Sequence, residues 1–305
     1  MAASAGVATK ASASVQKGAA ADLTPTATKA NWAFVGWNTD KNANTGLSSL
    51  TVNGNTTLYA IFKAPLIPDP GFEAAIRDAI GKPTGELTKA DLAQVEELYL
   101  YGGWGGPEYN VRSLEGIKNC TSLKWLVVYG DLITDTADFS GMTSLQMLGI
   151  FFGQVTRLNV SGCTALTQLD CLGSTTEAIT MNNHPALEYF DCSENNITSL
   201  NLSGCPQLVQ LTCDQNDIHS LDLSGCPKLG SLTCSYNNLS SLNLGGCTKL
   251  YRLQCFANNL TSLDIRDCAS TLHDYWFYYN CFPSRAAILG YDKIADRNFD
   301  PQKAS

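Results

Sequence analysis

From residue 143 to residue 268 the chain passes through six consecutive blocks of 21 residues with nothing between them. In one phase they read TSLQMLGIFFGQVTRLNVSGC, TALTQLDCLGSTTEAITMNNH, PALEYFDCSENNITSLNLSGC, PQLVQLTCDQNDIHSLDLSGC, PKLGSLTCSYNNLSSLNLGGC and TKLYRLQCFANNLTSLDIRDC. A 22-residue block precedes them (121–142), a degenerate one surrounds VEELYLYGG (95–103), and TLHDYWFYYNCF (271–282) opens another. Alternation in stretches such as LTCS and LQCF sends Leu and Cys to one side and the intervening residues to the other, which is the behaviour of a strand. One block buries about six apolar side chains at roughly 1.5–3 kcal/mol each. Ordering its backbone costs about 1–2 kcal/mol for every residue. A single block therefore cannot fold alone, and neighbours must complete both its ladder and its core, as in a nearest-neighbour solenoid.

The blocks share the consensus L-x-x-L-x-C-x-x-N-x-L and then x-x-L-x-L-x-x-C, from which the first two depart most. The first half resembles the leucine-rich repeat signature, with cysteine at the third apolar place. The doubled apolar spacing is similar to the nested 21-residue class of bacterial leucine-rich repeats. The fold class expected is a β-dominated repeat solenoid: an arc with a parallel sheet on its concave face, a small helical N-cap and a small β-rich, β-grasp-like module ahead of it. Asn195, Asn216, Asn237, Asn258 and Asn280 fall where the chain leaves the concave strand, and their amides are expected to satisfy turn backbone groups.

Twelve cysteines raise the possibilities of a disulfide framework or a metal site. Cys171, Cys192, Cys213, Cys234 and Cys255 form one column, and Cys120, Cys163, Cys205, Cys226, Cys247 and Cys268 another. Neighbours in a column stand about 4.8 Å apart with parallel Cβ vectors, which disfavours bridging. A straight column also offers no tetrahedral cage for zinc. Small thiols filling a dry seam are the reading that remains. His184 replaces cysteine in the second column, and His219 and His273 fall at outward positions.

The segment IPDPGFEAAIRDAIGKPTGELTKADLAQVEELYL (67–100) carries Phe72, Ala75, Ile76 and Ile80 at helical spacing, with Pro70 just ahead. TKADLAQV reads as a second short helix with Thr88 as its N-cap. This segment resembles the helical N-cap of internalin-like bacterial surface proteins. Farther upstream, NWAFVGWNTDKNANTGLSSLTVNGNTTLYAIFKA (31–64) resembles the Listeria-Bacteroides repeat of bacterial surface proteins, through Phe34, Gly36, Trp37, Thr57, Leu58, Tyr59 and Ala60, with Phe62 in place of a final tryptophan. The first strand of that family is not recognisable in residues 1–30, so the module reads as partial. The organisation expected is a flexible lead-in (1–30), the β module (31–64), the N-cap (65–94), the repeats (95–282) and a C-terminal cap and tail (283–305), the last closing the stack with a short helix. Both resemblances imply a secreted or surface-displayed bacterial protein acting as a spacer or an adhesive surface.

A net charge of −8, without a basic stripe, argues against nucleic acid and anionic membranes. No apolar run approaches the roughly 18 residues of a membrane span, and no signal peptide or anchor motif is visible. On the concave strands, the outward column after the third apolar place holds Tyr101, Tyr129, Phe151, Leu172, Ser193, Asp214, Ser235, Phe256 and Tyr278. The column before it holds Tyr99, Val127, Gly149, Asp170, Asp191, Thr212, Thr233, Gln254 and Trp276. Aromatics thus gather at both ends, joined by Trp125, Phe152, Tyr189 and Tyr236, and carboxylates occupy the middle. Such a face anchors a protein or glycan partner, or else its aromatics cover irregular edge coils. Asp170, Asp191 and Asp214, on three successive coils, either share a calcium ion or form a solvated acidic stripe. Trp104, in YGGWGGPEYN (101–110), is either a finger over the N-terminal end or tucked onto the cap. No catalytic constellation, phosphate loop or metal-ligand spacing stands out, and no cofactor is expected. The expectation is a non-enzymatic binding protein for a host or neighbouring-cell protein or glycan; a structural spacer is the alternative, and a glycan-active enzyme a remote one.

Overall fold

The computed structural model describes residues 7–8, 16–29, 32–101, 109–130 and 133–294. The chain divides into two compact units, Met1–Pro68 and Asp69–Ser305.

In the first unit, Ala33–Asn38 pairs antiparallel with Tyr59–Lys63 through a bulge between Phe34 and Gly36. Phe62 lies opposite Phe34 in this register, and their rings meet edge-on at 5.8 Å. Gly36 adopts φ 147°, and a Cβ there would stand 2.8 Å from the Cα of Gly46, so the F-x-G-W signature closes only around glycine. Trp37 Nε1 donates to the carbonyl of Pro25. Ahead of the hairpin, Val7–Ala8 pairs with Ala27–Thr28, and Ala20 bridges to Thr51.

The second unit opens with a helix, Pro70–Ala79, whose N-cap is Asp69. One Asp69 oxygen accepts from Phe72 N at 2.8 Å, and the other accepts from Arg112 N and Ser113 N at 2.9 and 3.1 Å, tying the cap to the first coils. Pro70 is the first helical residue, where its missing N–H leaves no bond unmade. Ile80, read as part of the apolar stripe, is the C-cap residue instead. Thr88 and Asp91 form a capping box on Lys89–Leu92. The Lys82 ammonium beside Asp91, with the Thr88 bonds, holds that carboxyl at about 2.

Nine parallel strands of the described residues build the concave sheet, running in order from Glu97–Tyr101 through Trp125–Tyr129, Met147–Phe151, Gln168–Asp170, Tyr189–Asp191, Gln210–Thr212, Ser231–Thr233 and Arg252–Gln254 to Asp274–Trp276. Gln168, Tyr189, Gln210, Ser231 and Arg252 are register partners, so the ladder steps by one 21-residue repeat per strand. The second half of the repeat forms shorter parallel ladders, among them Ser220–Asp222 with Ser241–Asn243. In the block 206–226, Leu208, Leu211, Cys213, Ile218, Leu221, Leu223 and Cys226 are all buried. The fold is a leucine-rich-repeat solenoid.

The end expected as a short helix is built otherwise. Two 3₁₀ turns, Arg285–Ala287 and Tyr291–Lys293, flank a strand, Ile288–Leu289, that pairs parallel with Leu263–Asp264. Pairing satisfies the open ladder of the last coil, and Gly290, at φ 91°, turns the chain away before a helix can form.

The asparagines do what the repeat requires of them. Asn195 Nδ2 donates to the carbonyls of Cys171, Cys192 and Ser193 at 2.7, 3.1 and 3.0 Å, while its Oδ1 accepts from Thr176 N at 2.9 Å. Asn216, Asn237 and Asn258 repeat this pattern one coil at a time, and Asn280 keeps two of the donations and the acceptance. Each follows a residue held in the left-handed region: Glu194, Gln215, Tyr236, Ala257 and Tyr279 have φ between 53° and 56°. None of the five is glycine, so the amide ladder holds a turn that the backbone alone disfavours.

All twelve cysteines carry unpaired thiols; eleven are buried and Cys281 is half-buried. Where the second column bonds, it bonds to carbonyls: Cys163 Sγ lies 3.2 Å from Phe139 O and Cys247 Sγ 3.4 Å from Leu223 O. Burial pushes the thiols of Cys120, Cys226, Cys255 and Cys268 up to about 12. His184 is buried within this column with Nδ1 3.3 Å from Cys163 O, and burial lowers its pKa.

Candidate binding face

Side chains at alternate positions of the nine strands share the concave side, and their in-register pairing stacks like positions from coil to coil. At the N-terminal end this produces a continuous pile of rings. Tyr99 meets Tyr101 at 6.4 Å, Tyr101 meets Tyr129 at 5.6 Å, and Tyr129 meets Phe151 at 4.7 Å, with interplanar angles of 9°, 20° and 22°. Gly149 makes room for the last ring, since a Cβ there would come within 2.6 Å of the Phe151 edge. Trp125, at 46% exposure, stands on the same strand as Tyr129.

A second group occupies the C-terminal end. Phe256 stacks on Tyr278 at 4.9 Å, tilts against Trp276 at 5.7 Å and takes Tyr236 edge-on at 5.0 Å. Tyr236 is not on a strand; it occupies the left-handed turn position, where it is the most exposed of the set. Tyr279 shares that turn position and packs on Tyr278 at 5.2 Å. The signal in the sequence that marks Tyr279, which the outward columns do not include, is its place one residue before Asn280, matching Tyr236 before Asn237.

The three aspartates between these groups do not form one column. Asp170 and Asp191 are register partners on adjacent strands, but Asp191 pairs onward with Thr212, which leaves Asp214 two residues farther along its coil. A cation shared by all three in a line is therefore not what the register provides. Burial pushes the carboxyls of Asp170 and Asp214 up, and the charge of Asp191 adds to it. Gln168 Nε2 donates to Asp170 Oδ2 at 2.6 Å, and Ser193 N donates to Asp191 Oδ1 at 2.9 Å. Asp214 Oδ1 accepts from Ser235 N. Tyr189 overhangs this centre at 44% exposure. Gln168, Asp170, Tyr189, Asp191 and Gln210 line a hollow of about 250 Å³, in which Gln168 and Gln210 are residues that sequence reading did not single out.

Ser193 and Ser235, outward by alternation, are only 6% and 2% exposed. Their short side chains sit low in a column that also holds Leu172 and Asp214. Trp104 lies outside the described residues. His219 is exposed, and His273 stacks on Tyr251 at 5.5 Å. Among the described residues no group of three or more His, Cys, Asp or Glu side chains is placed to hold a metal ion. No described helix is long and apolar enough to cross a membrane.

Residues 3–61 match the Listeria-Bacteroides repeat domain family. The match begins well before the hairpin and takes in residues that sequence reading assigned to a lead-in, including both short strands that pair ahead of it. A search of curated proteins finds no match. Among solved structures, the solenoid is similar to the functional domain of InlJ from Listeria monocytogenes, described as including a cysteine ladder, at 22% identity and a TM-score of 0.43 over 76% of this chain and 62% of that one. It is similar to internalin C2 from Listeria monocytogenes at 23% identity and a TM-score of 0.47, over 73% of this chain and 89% of that one. InlP from the same organism aligns at 18% identity and a TM-score of 0.49, over 70% and 65%. The chain thus spans less than two thirds of the InlJ domain.

Proposed function

We propose that this is a non-enzymatic, secreted or surface-displayed bacterial binding protein whose concave sheet recognises a protein or carbohydrate partner. The observation that carries the proposal is the exposure of large rings on a rigid surface: Tyr99, Trp125, Tyr189 and Trp276 are each 39–46% exposed although they stand on paired strands. Solvent-exposed aromatics held without conformational freedom lose little entropy on binding and provide large contact area. The Listeria-Bacteroides repeat match over residues 3–61 supports the surface setting proposed.

The test is a screen of the intact chain against immobilised extracellular proteins and glycans and against host cells, alongside the triple variant Tyr129→Ala, Trp276→Ala, Tyr278→Ala. Loss of the hits in the variant, with its melting transition retained, supports the concave face. Binding that survives all three changes removes this face from consideration and leaves the spacer role. Antibody labelling of intact cells of the source bacterium checks display.

A further inference from the structure

The hollow at the centre of the concave sheet carries a negative charge that narrows what can enter it. Asp170 and Asp191 are register partners on neighbouring strands, about 4.8 Å apart at Cα. Among the described residues neither is in an ion pair; Arg252, on the same sheet, is engaged by Asp274 at 2.6 Å. Each carboxylate is oriented by one bond, Asp170 Oδ2 to the Gln168 amide and Asp191 Oδ1 to Ser193 N, leaving Asp170 Oδ1 and Asp191 Oδ2 as acceptors without a bond among the described residues. The Ser193 hydroxyl, 94% buried on the same side two positions from Asp191, also has no partner among the described residues. Beside them lies the exposed face of Tyr189, which has no ring partner among the described residues.

We infer that this hollow receives an arginine side chain of a protein partner. The inference rests on the concave face being the recognition surface and specifies what its centre recognises. A sugar hydroxyl both donates and accepts, and sites that read it offer both kinds of group. Here the Gln168 amide is committed to Asp170, and although the Gln210 amide can both donate and accept, the charge of the hollow is that of two carboxylates with no cation among the described residues. A guanidinium is donor-only, with five N–H groups in a plane, so it can bond two neighbouring carboxylates at once. Its flat face can lie on the Tyr189 ring. The Asp170 carboxylate is half-buried with no cation of its own, so its charged form is held at a cost that an incoming positive charge offsets. The hollow, at about 250 Å³, has room for one long side chain, and the aromatic groups at either end remain free to meet the surrounding surface of the partner.

The test is an NMR titration of the full chain with a glycine–serine peptide carrying one arginine, and with its lysine and citrulline counterparts. Citrulline keeps the shape and removes the charge. The result expected is saturable perturbation of the amides of residues 168–170 and 189–193 by the arginine peptide, with affinity weaker by about tenfold for citrulline and about threefold for lysine. The double variant Asp170→Asn, Asp191→Asn loses about tenfold or more, whereas Asp222→Asn, Asp264→Asn, which removes two exposed carboxylates on the other ladders, stays within about twofold. Equal losses in both double variants reveal diffuse attraction to an acidic protein and overturn the proposal, as does equal binding of citrulline. Perturbation of the same amides by maltotetraose or chitotetraose, but not by the peptide, makes the hollow a glycan site and also overturns it. In either event the concave-face reading stands or falls separately, on whether the triple aromatic variant still binds cells.

Discussion

Replacing Asn195 by alanine removes one side chain from the middle of the amide ladder, and the neighbouring Asn196 supplies a control of the same type. Asn195 is buried and makes four hydrogen bonds; Asn196 is exposed. After the change, the Cys192 carbonyl still accepts from Asn216 Nδ2 at 2.9 Å, and Ser193 O still accepts from Gly173 N at 3.0 Å. Thr176 N and Cys171 O have no such second partner among the described residues and are left buried and unsatisfied. Each such group costs about 1–3 kcal/mol, and the loss of the two shared bonds adds a smaller amount, so the variant is destabilised by about 3–5 kcal/mol. Glu194, held at φ 56°, also loses the anchor beside it. At roughly 2–4 °C per kcal/mol for a unit of this size, the thermal midpoint drops by about 10 °C in a circular dichroism melt. Asn196→Ala stays within about 0.5 kcal/mol of the parent. If the two variants melt together, the ladder is not what holds the left-handed turns.

Three further outcomes follow from the same structure. Native protein at pH 8 is expected to expose one thiol, Cys281, to a disulfide reagent and all twelve after denaturation; because burial raises the pKa of the other thiols above their ordinary 9.0, to about 12 for Cys226 and Cys255, their contribution to stability is complete below pH 9 and is lost as the pH climbs toward 12, which urea midpoints across that range will show. Asp170→Asn is expected to raise stability at pH 7, since burial lifts the folded carboxyl above its ordinary 3.8 and its ionised form is the disfavoured one, and the gain should vanish below that pH in urea midpoints. Gln215→Gly, at φ 55°, relieves about 1–2 kcal/mol of left-handed strain against a smaller entropic loss, so a net gain of about 0.5–1 kcal/mol is expected in the same melts.

What the sequence makes legible is whatever recurs with the period, because a repeated residue must meet its own counterpart one coil away. Leu211 is paired in register with Phe190 on one side and Leu232 on the other, and the cysteines and asparagines follow the same rule. The left-handed turns escape this reading: Glu194, Gln215, Tyr236, Ala257 and Tyr279 share a backbone state but no chemistry, and only the asparagine after each betrays it. The centre of the concave face is likewise hidden, because it belongs to residues that break the period. The two columns already separate Asp214 from Asp170 and Asp191, but the burial of Ser193, which alternation points outward, and the hollow that Gln168, Tyr189 and Gln210 line are not in the pattern. Packing constrains the repeated positions by physical necessity, since a substitution in the dry seam disturbs two neighbouring coils at once. The outward positions meet no such demand, so recognition can vary there from coil to coil. The hollow lined by Asp170, Tyr189 and Asp191, the site proposed for an arginine, thus lies among positions that packing leaves free to vary, and the stack beneath it, from the leucines to the asparagines, fixes the distance between them.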